Sequence, residues 1–351
     1  MSVVPIAASV PTAVDTDRLM LVVGDAVRVL PLLARDSVDA VVTDPPYGLQ
    51  FSDQDWDGAR GFRESLDFDT AGMPDGEVFE AWCRAWAIGA LSALRPGGHM
   101  AAFGGARTWH RLAAGVEAAG FEVRDQIAWL YATGMPKSMD ISNAIDTHLG
   151  AVREDREVEV SNSDGVLGMT RRVLSKGDPV TDEARRMAGW GTGLKPGFEP
   201  ILIARKPLAG TVVANVLDHG TGGINVDAGR FGGGRWPVNV AMDERQGRAL
   251  EARCEGAAVG FPVFRYEGKP GQSERPKVDG VSHLTVKPLS LMRWLVGLLT
   301  KPGGVVLEPF AGSGSTVEAA LSLGRRVVAV EKDASFVPLI RARVDRLAAA
   351  T

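Results

Sequence analysis

Gly304-Val305-Val306-Leu307-Glu308-Pro309-Phe310-Ala311-Gly312-Ser313-Gly314-Ser315-Thr316 reads as a strand, a glycine-rich turn and the start of a helix. A short apolar run rich in β-branched residues, with turn residues on both sides, is the pattern of a buried strand. Gly312 and Gly314 carry no Cβ, so a ligand can approach their backbone closely. The helix expected over Ser315 to Leu323 then presents its N-terminal N–H groups to the same place. A second strand, Arg326 to Val330, ends at Glu331. In a nucleotide-binding βαβ unit an acid at that position holds ribose hydroxyls. Strand, G-x-G, helix, strand and acid in this order predict an α/β fold with a doubly wound, mostly parallel, Rossmann-like sheet.

Far upstream, Ser37-Val38-Asp39-Ala40-Val41-Val42-Thr43 reads as another buried strand, and Asp44-Pro45-Pro46-Tyr47-Gly48 follows it. Ligands bind at the carboxyl ends of strands in open α/β sheets. Two prolines fix two φ angles and remove two backbone donors. The loop is left with acceptors, the Asp44 carboxylate and the Pro45 and Pro46 carbonyls, beside the flat ring of Tyr47. Such a cluster suits a planar amine such as the exocyclic NH2 of a nucleobase. A plain proline-rich turn after a core strand is the competing reading, and the glycine block at the other end of the chain tips the balance.

Together the two blocks resemble the amino-methylating DNA methyltransferases that use S-adenosylmethionine, with their (D/N/S)PP(Y/F) and FxGxG motifs. Here DPPY comes first and Phe310-Ala311-Gly312-Ser313-Gly314 last, similar to the permuted order of the β group. The resemblance covers about residues 19–135 and 283–346. It implies Asp44, Pro45, Pro46 and Tyr47 at the target amine. It implies Asp25, Thr285, Lys287, Glu308, Phe310, Gly312, Gly314 and Glu331 around the cofactor, with Thr285 and Lys287 near its methionine part. His283-Leu284-Thr285-Val286-Lys287-Pro288 departs from the family's His-Pro-Thr-x-Lys-Pro at Leu284, and His283 is given no role. Asp25 has a second reading, as the cap of the helix after it. The resemblance also implies duplex DNA as partner and a cytoplasmic, nucleoid-associated location. It leaves open a cognate restriction endonuclease and a monomer or homodimer.

Composition bounds the rest. The chain has 351 residues, 45% hydrophobic and 23% charged, as in an ordinary globular protein. Two cysteines, Cys83 and Cys254, exclude a disulfide framework and a cysteine-rich zinc site, so no metal is expected. No membrane span or leader is expected. The net charge of −4 opposes generic affinity for nucleic acid, so DNA binding requires a local basic face.

The expected organisation is a tail followed by four parts. Residues 1–17 read as a frayed tail. Residues 18–135 form the DPPY half of the catalytic domain. Within it, 50–76 reads as a long loop, and Phe79, Trp82, Trp86 and Leu91 as the core stripe of a helix. Residues 136–206 are a polar insertion of little periodicity and a returning strand, with the Trp190–Glu199 run near the target base by analogy. Residues 207–282, with strand-like runs at 211–216 and 261–266, occupy the family's recognition position. Over 230–282 nine Lys/Arg face seven Asp/Glu, a weak excess. Arg230, Arg235, Asn239 and Arg265 are the candidate DNA-reading residues, since arginine pairs with guanine and asparagine with adenine. Residues 283–351 are the cofactor half.

The chemistry read from these parts is direct methyl transfer to a base amine. Acceptors on the amine N–H groups turn its lone pair toward the methyl. The nucleotide must be extruded from the duplex, and Tyr47 can stack on it. Adenine N6 is expected from DPPY, with cytosine N4 the alternative and RNA or protein-amide methylation less favoured. Methylation at cytosine C5 is disfavoured, because neither cysteine lies in a Pro-Cys setting.

Overall fold

The computed structural model describes residues 3–4, 12–49, 55–131, 138–161, 170–230, 236–261, 263–264, 276–278, 280–283 and 285–350. In chain order the strands are β1 (Thr12–Asp15), β2 (Leu19–Val23), β3 (Val38–Thr43), β4 (Leu94–Phe103), β5 (Glu122–Leu130), β6 (Asp155–Ser161), β7 (Thr170–Lys176), β8 (Phe198–Arg205), β9 (Val240–Asp243), β10 (Val263–Phe264), β11 (Val305–Glu308) and β12 (Arg326–Glu331). Ten of them form one sheet in the order β1-β2-β12-β11-β3-β4-β8-β5-β9-β10, while β6 and β7 form a separate hairpin. The run β2-β12-β11-β3-β4 is parallel throughout, and β8 is inserted antiparallel between β4 and β5.

Period-two alternation divides the apolar side chains between two faces. Met20, Val41, Met100, Leu202, Leu307 and Val328 pack on one face with the helix Asp75–Ala93. Leu21, Val42, Phe103, Ile203, Val306 and Ala329 pack on the other with the helix Leu289–Leu299. This is the doubly wound α/β arrangement expected.

The permuted chain order leaves the layout intact. Strands β3 and β11 are direct parallel neighbours, with Ala40 opposite Val306 and Val41 opposite Leu307. Buried Asp39 locks this pair from below, accepting from Val305 N at 2.7 Å and pairing with Arg95 at 2.8 Å. The loops after the two strands therefore emerge side by side.

Four local expectations are corrected. Within the tail, Thr12–Asp15 adds an edge strand to β2, and Val3 and Val4 are buried in the core. The 50–76 stretch holds a 3-10 turn at Asp55–Asp57 and a helix at Ala59–Ser65, whose Phe62 packs on Phe79 and Trp82. Residues 211–216 begin a helix, Val212–His219, capped by the Thr211 side chain and closed by Gly220 at φ 70°. The polar insertion, which reads as aperiodic, holds the β6–β7 hairpin and the helices Ile141–His148 and Asp182–Arg186.

The chain divides into two compact units, residues 1–132 with 198–351, and residues 133–197. The second is organised on buried Asp146, which accepts from Arg153 at 2.6 Å, Thr181 Oγ1 at 2.6 Å and the backbone of Val180 at 3.0 Å.

Candidate active site

At the end of β3 the Asp44 carboxylate is held from two sides. Tyr47 Oη lies 2.9 Å from Oδ1, and Lys287 Nζ lies 2.6 Å from Oδ2. Tyr47 Oη is also 2.9 Å from Glu199 Oε2, at the start of β8, and Lys287 Nζ is 3.4 Å from the same oxygen. The ammonium sits 4.9 Å from the Phe103 ring centre and 5.4 Å from that of Tyr47. Burial pushes the Tyr47 hydroxyl well up, reinforced by the Asp44 and Glu199 charges, so it stays protonated. Burial alone would lower Lys287, but those two carboxylates outweigh it and raise the ammonium above its ordinary range.

The backbone of this loop is fixed by a residue that sequence reading did not single out. Buried Asp57 accepts from Tyr47 N at 2.6 Å, Gly48 N at 2.8 Å and Leu49 N at 3.3 Å. Thr108 Oγ1 donates to the Tyr47 carbonyl at 2.6 Å.

The neighbouring loop after β11 is tied directly to β3. Glu308, 1% exposed, accepts from Thr43, Thr316 and the backbone N of Phe310, so both its oxygens are engaged by protein groups. Burial pushes its carboxyl up to about 8 against the bonds from Thr316 and Thr43, and in the protonated form its O–H donates to one of those two hydroxyls. Through these bonds Glu308 also ties the end of β3 to the loop after β11. Phe310 packs on Trp82 and Trp86 at 5.3 and 5.5 Å between ring centres, which carries the aromatic stripe of the helix Asp75–Ala93 up to the glycine turn.

Gly312 and Gly314 take φ of 48° and 81°, in the left-handed region that favours glycine. A Cβ at Gly312 would lie 2.9 Å from His283 Nε2, so the histidine left without a role packs on this turn. Behind it, buried Arg343 donates to the Ser313 carbonyl at 2.7 Å and pairs with buried Glu318.

Glu331 ends β12, accepting from Gly312 N at 2.6 Å and Asp333 N at 2.8 Å, and burial raises its carboxyl. Asp25, beyond β2, caps the next helix through Val27 N at 2.9 Å, so its capping reading holds. Its other oxygen takes Ser65 Oγ at 2.6 Å and Lys332 at 2.9 Å. Burial would raise Asp25, but these partners together hold it below the usual value.

The structure thus brings Asp44, Tyr47 and Lys287 into one cluster and lines up Gly312, Glu331 and Asp25 along three adjacent strand ends. Thr285 is exposed, in a local turn with His283. Of the recognition candidates, Arg230 pairs with Asp227 and lies 5.1 Å from the centre of the exposed Trp236 ring. Asn239 donates to Asp125 at 3.1 Å, beside the β5–β9 junction. Arg235 and Arg265 lie outside the described residues. Among the described residues no cluster of side chains suits a metal ion, and no helix is long and apolar enough to cross a membrane.

The family model described as DNA methylase, that of the N6/N4 methyltransferases, matches residues 38–342. The Type II methyltransferase M.HindIII of Haemophilus influenzae is 24% identical over 334 residues, 88% of this chain and 89% of that protein. The putative methylase YubD of Escherichia coli is 38% identical over 73 residues, 18% of this chain and 32% of that protein. Among solved structures, the cytosine-N4-specific PvuII DNA methyltransferase superposes with a TM-score of 0.56 at 14% identity, covering 95% of this chain and 89% of that one, a likeness of fold.

Proposed function

Because the chain belongs to the N6/N4 DNA methylase family, we propose that it transfers a methyl group from S-adenosylmethionine to the exocyclic N6 amine of an adenine extruded from duplex DNA. The observation that carries this reading is the acceptor cluster at the end of β3. The Asp44 carboxylate lies beside the Pro45 and Pro46 carbonyls, on the strand directly paired with the one that leads to Gly312.

The cofactor pocket fits by the chemistry of its groups. Asp25 and Glu331 supply carboxylates for ribose hydroxyls and an amine, and the Gly312–Gly314 turn brings backbone close without side chains. When bound, S-adenosylmethionine supplies an electrophilic methyl on a sulfonium. Asp44 and the Pro45 carbonyl accept the two N–H hydrogens of the target amine. That raises electron density on nitrogen and aims its lone pair at the methyl. Tyr47 stacks on the extruded base, worth about 1–3 kcal/mol, which offsets part of the unstacking cost. Glu308 holds the ends of β3 and β11 at a constant separation and takes no part in proton transfer.

Adenine is favoured over cytosine by the DPPY form of the motif. The test is nucleoside mass spectrometry of duplex DNA incubated with the protein and cofactor. N6-methyladenine is the expected product. N4-methylcytosine alone would reject adenine while leaving the mechanism standing.

A further inference from the structure

Asp44 Oδ1, Tyr47 Oη and Glu199 Oε2 form a row of three oxygens with both gaps 2.9 Å. A tyrosine hydroxyl carries one hydrogen, so it can donate to only one of the two carboxylates. The other contact is oxygen against oxygen unless one carboxylate holds a proton, and it is tolerable between two charged carboxylates when positive charge lies beside it. That charge is present: Lys287 Nζ is 2.6 Å from Asp44 and 3.4 Å from Glu199, with its side chain 9% exposed. We propose that Lys287 is the counter-ion that lets Asp44 and Glu199 stay ionised together beneath the target amine, which makes Lys287 and Glu199 positioning residues of methyl transfer. This rests on the reading of Asp44 as the amine acceptor.

Among the described residues, the charged and titratable groups around the cluster come from four elements and two loops. Asp44 and Tyr47 follow β3, Glu199 lies on β8, and Lys287 precedes the helix Leu289–Leu299. From β11, Glu308 faces Asp44 as a neutral acid. Asp57 binds the backbone of Tyr47, and β4 contributes the Phe103 ring. With Lys287 removed, two largely buried carboxylates sharing one hydroxyl would retain a proton between them. A proton on Asp44 presents a donor where the amine needs an acceptor. Loss of the lysine therefore becomes a pH-dependent loss of transfer.

The experiment measures kcat/KM against pH for the parent, Lys287→Met, Lys287→Arg, Glu199→Gln, Asp44→Ala and the double variant Lys287→Met/Glu199→Gln. Carboxyl 13C titrations by NMR on protein without cofactor or DNA give a readout independent of turnover. Lys287→Met is expected to raise the acid limb by about one pH unit or more, so that its deficit is roughly tenfold larger at low pH than at high pH. Lys287→Arg keeps the charge and leaves the limb in place. The double variant, with one carboxylate removed, returns the limb to the parent position, and the shifted carboxyl resonance returns with it. Should Lys287→Met fail to fold, Glu199→Gln decides alone: it must move the limb to lower pH. A Lys287→Met deficit equal at every pH, a double variant that is not rescued, or an unmoved limb in Glu199→Gln each overturns the proposal. Full activity in Asp44→Ala, which removes the acceptor, would instead overturn the reading of Asp44 on which it stands.

Discussion

Asp44 is engaged through both carboxylate oxygens, by Tyr47 on one side and Lys287 on the other, so its acceptor direction is set before any base arrives. Asp44→Ala is expected to lower kcat by more than about tenfold, a loss above ~1.4 kcal/mol, with cofactor affinity by calorimetry within about twofold. Glu308 gives a prediction of the opposite kind, about stability. Its folded value of about 8 exceeds the ordinary 4.5. The folded state therefore holds a proton that the unfolded state releases, and its contribution is full below about 4.5 and lost as pH rises toward about 8. Glu308→Gln mimics the protonated acid. Its unfolding free energy relative to the parent, measured by denaturant titration, should improve steadily from about pH 5 to pH 8, by an amount on the order of a few kcal/mol. A flat difference would mean that the clamp is ionised. Both acids were visible in the sequence because each ends a recognisable strand. Their partners were not: Tyr47 meets Glu199 across 152 positions, and Asp44 meets Lys287 across 243. No local pattern encodes a pairing made by strand order.

The same limit operates one level up. The strand–turn–helix block at Gly304–Thr316 and the helix over Val78–Leu94 were legible because burial on one face imposes a period. The helix Val212–His219 was misread as a strand because Val212, Val213 and Val216 favour strands. Its capping residues, Thr211 and Gly220, outweigh that preference, and Val213 and Leu217 point to solvent. The 50–76 stretch was misread for a different reason. Its charge content looks like a loop, yet one of its acids, Asp57, is buried under the DPPY turn. Three backbone donors depend on that carboxylate, two through a single oxygen. Asp57→Asn keeps an oxygen for Tyr47 N and Gly48 N and is expected to cost less than about tenfold in kcat/KM. Asp57→Ala strands the donors, at about 1–3 kcal/mol for each buried group left unpaired, and should cost well over tenfold. Steady-state kinetics on both variants tests this, and equal losses would show that Asp57 acts through its charge rather than by shaping the turn.

At the scale of the whole molecule, the layout survives permutation because β3 and β11 pair in parallel whichever comes first in the chain. That pairing gathers the chemistry at strand ends, which have no reach to the flanking base pairs. Flanking sequence must be read by another surface, since phosphate contacts position a protein and base-edge contacts specify. With a net charge of −4, that surface cannot be the molecule at large. Residues 207–282 are our proposed recognition region, and the structure ranks its candidates. Asn239 is committed to Asp125 beside the β5–β9 junction, which leaves its amide poorly placed to read a base. Arg230 is paired as well, with Asp227, but its guanidinium carbon also lies 5.1 Å from the centre of the exposed Trp236 ring, at the surface, and an arginine has the donors to read guanine by two bonds. Arg230→Ala is therefore expected to relax the recognised site at one position, at about 1–3 kcal/mol of discrimination, with cofactor affinity unchanged. Asn239→Ala is expected to leave site preference as it is, and Arg235→Ala and Arg265→Ala complete the set. Methylation across a library of DNA sites distinguishes the outcomes. A residue that touches only phosphate weakens binding to every sequence and flattens its salt dependence. If none of the four variants shifts the preference while substitutions within residues 50–76 do, recognition belongs to the segment after Tyr47, and the division of labour proposed for 207–282 is wrong.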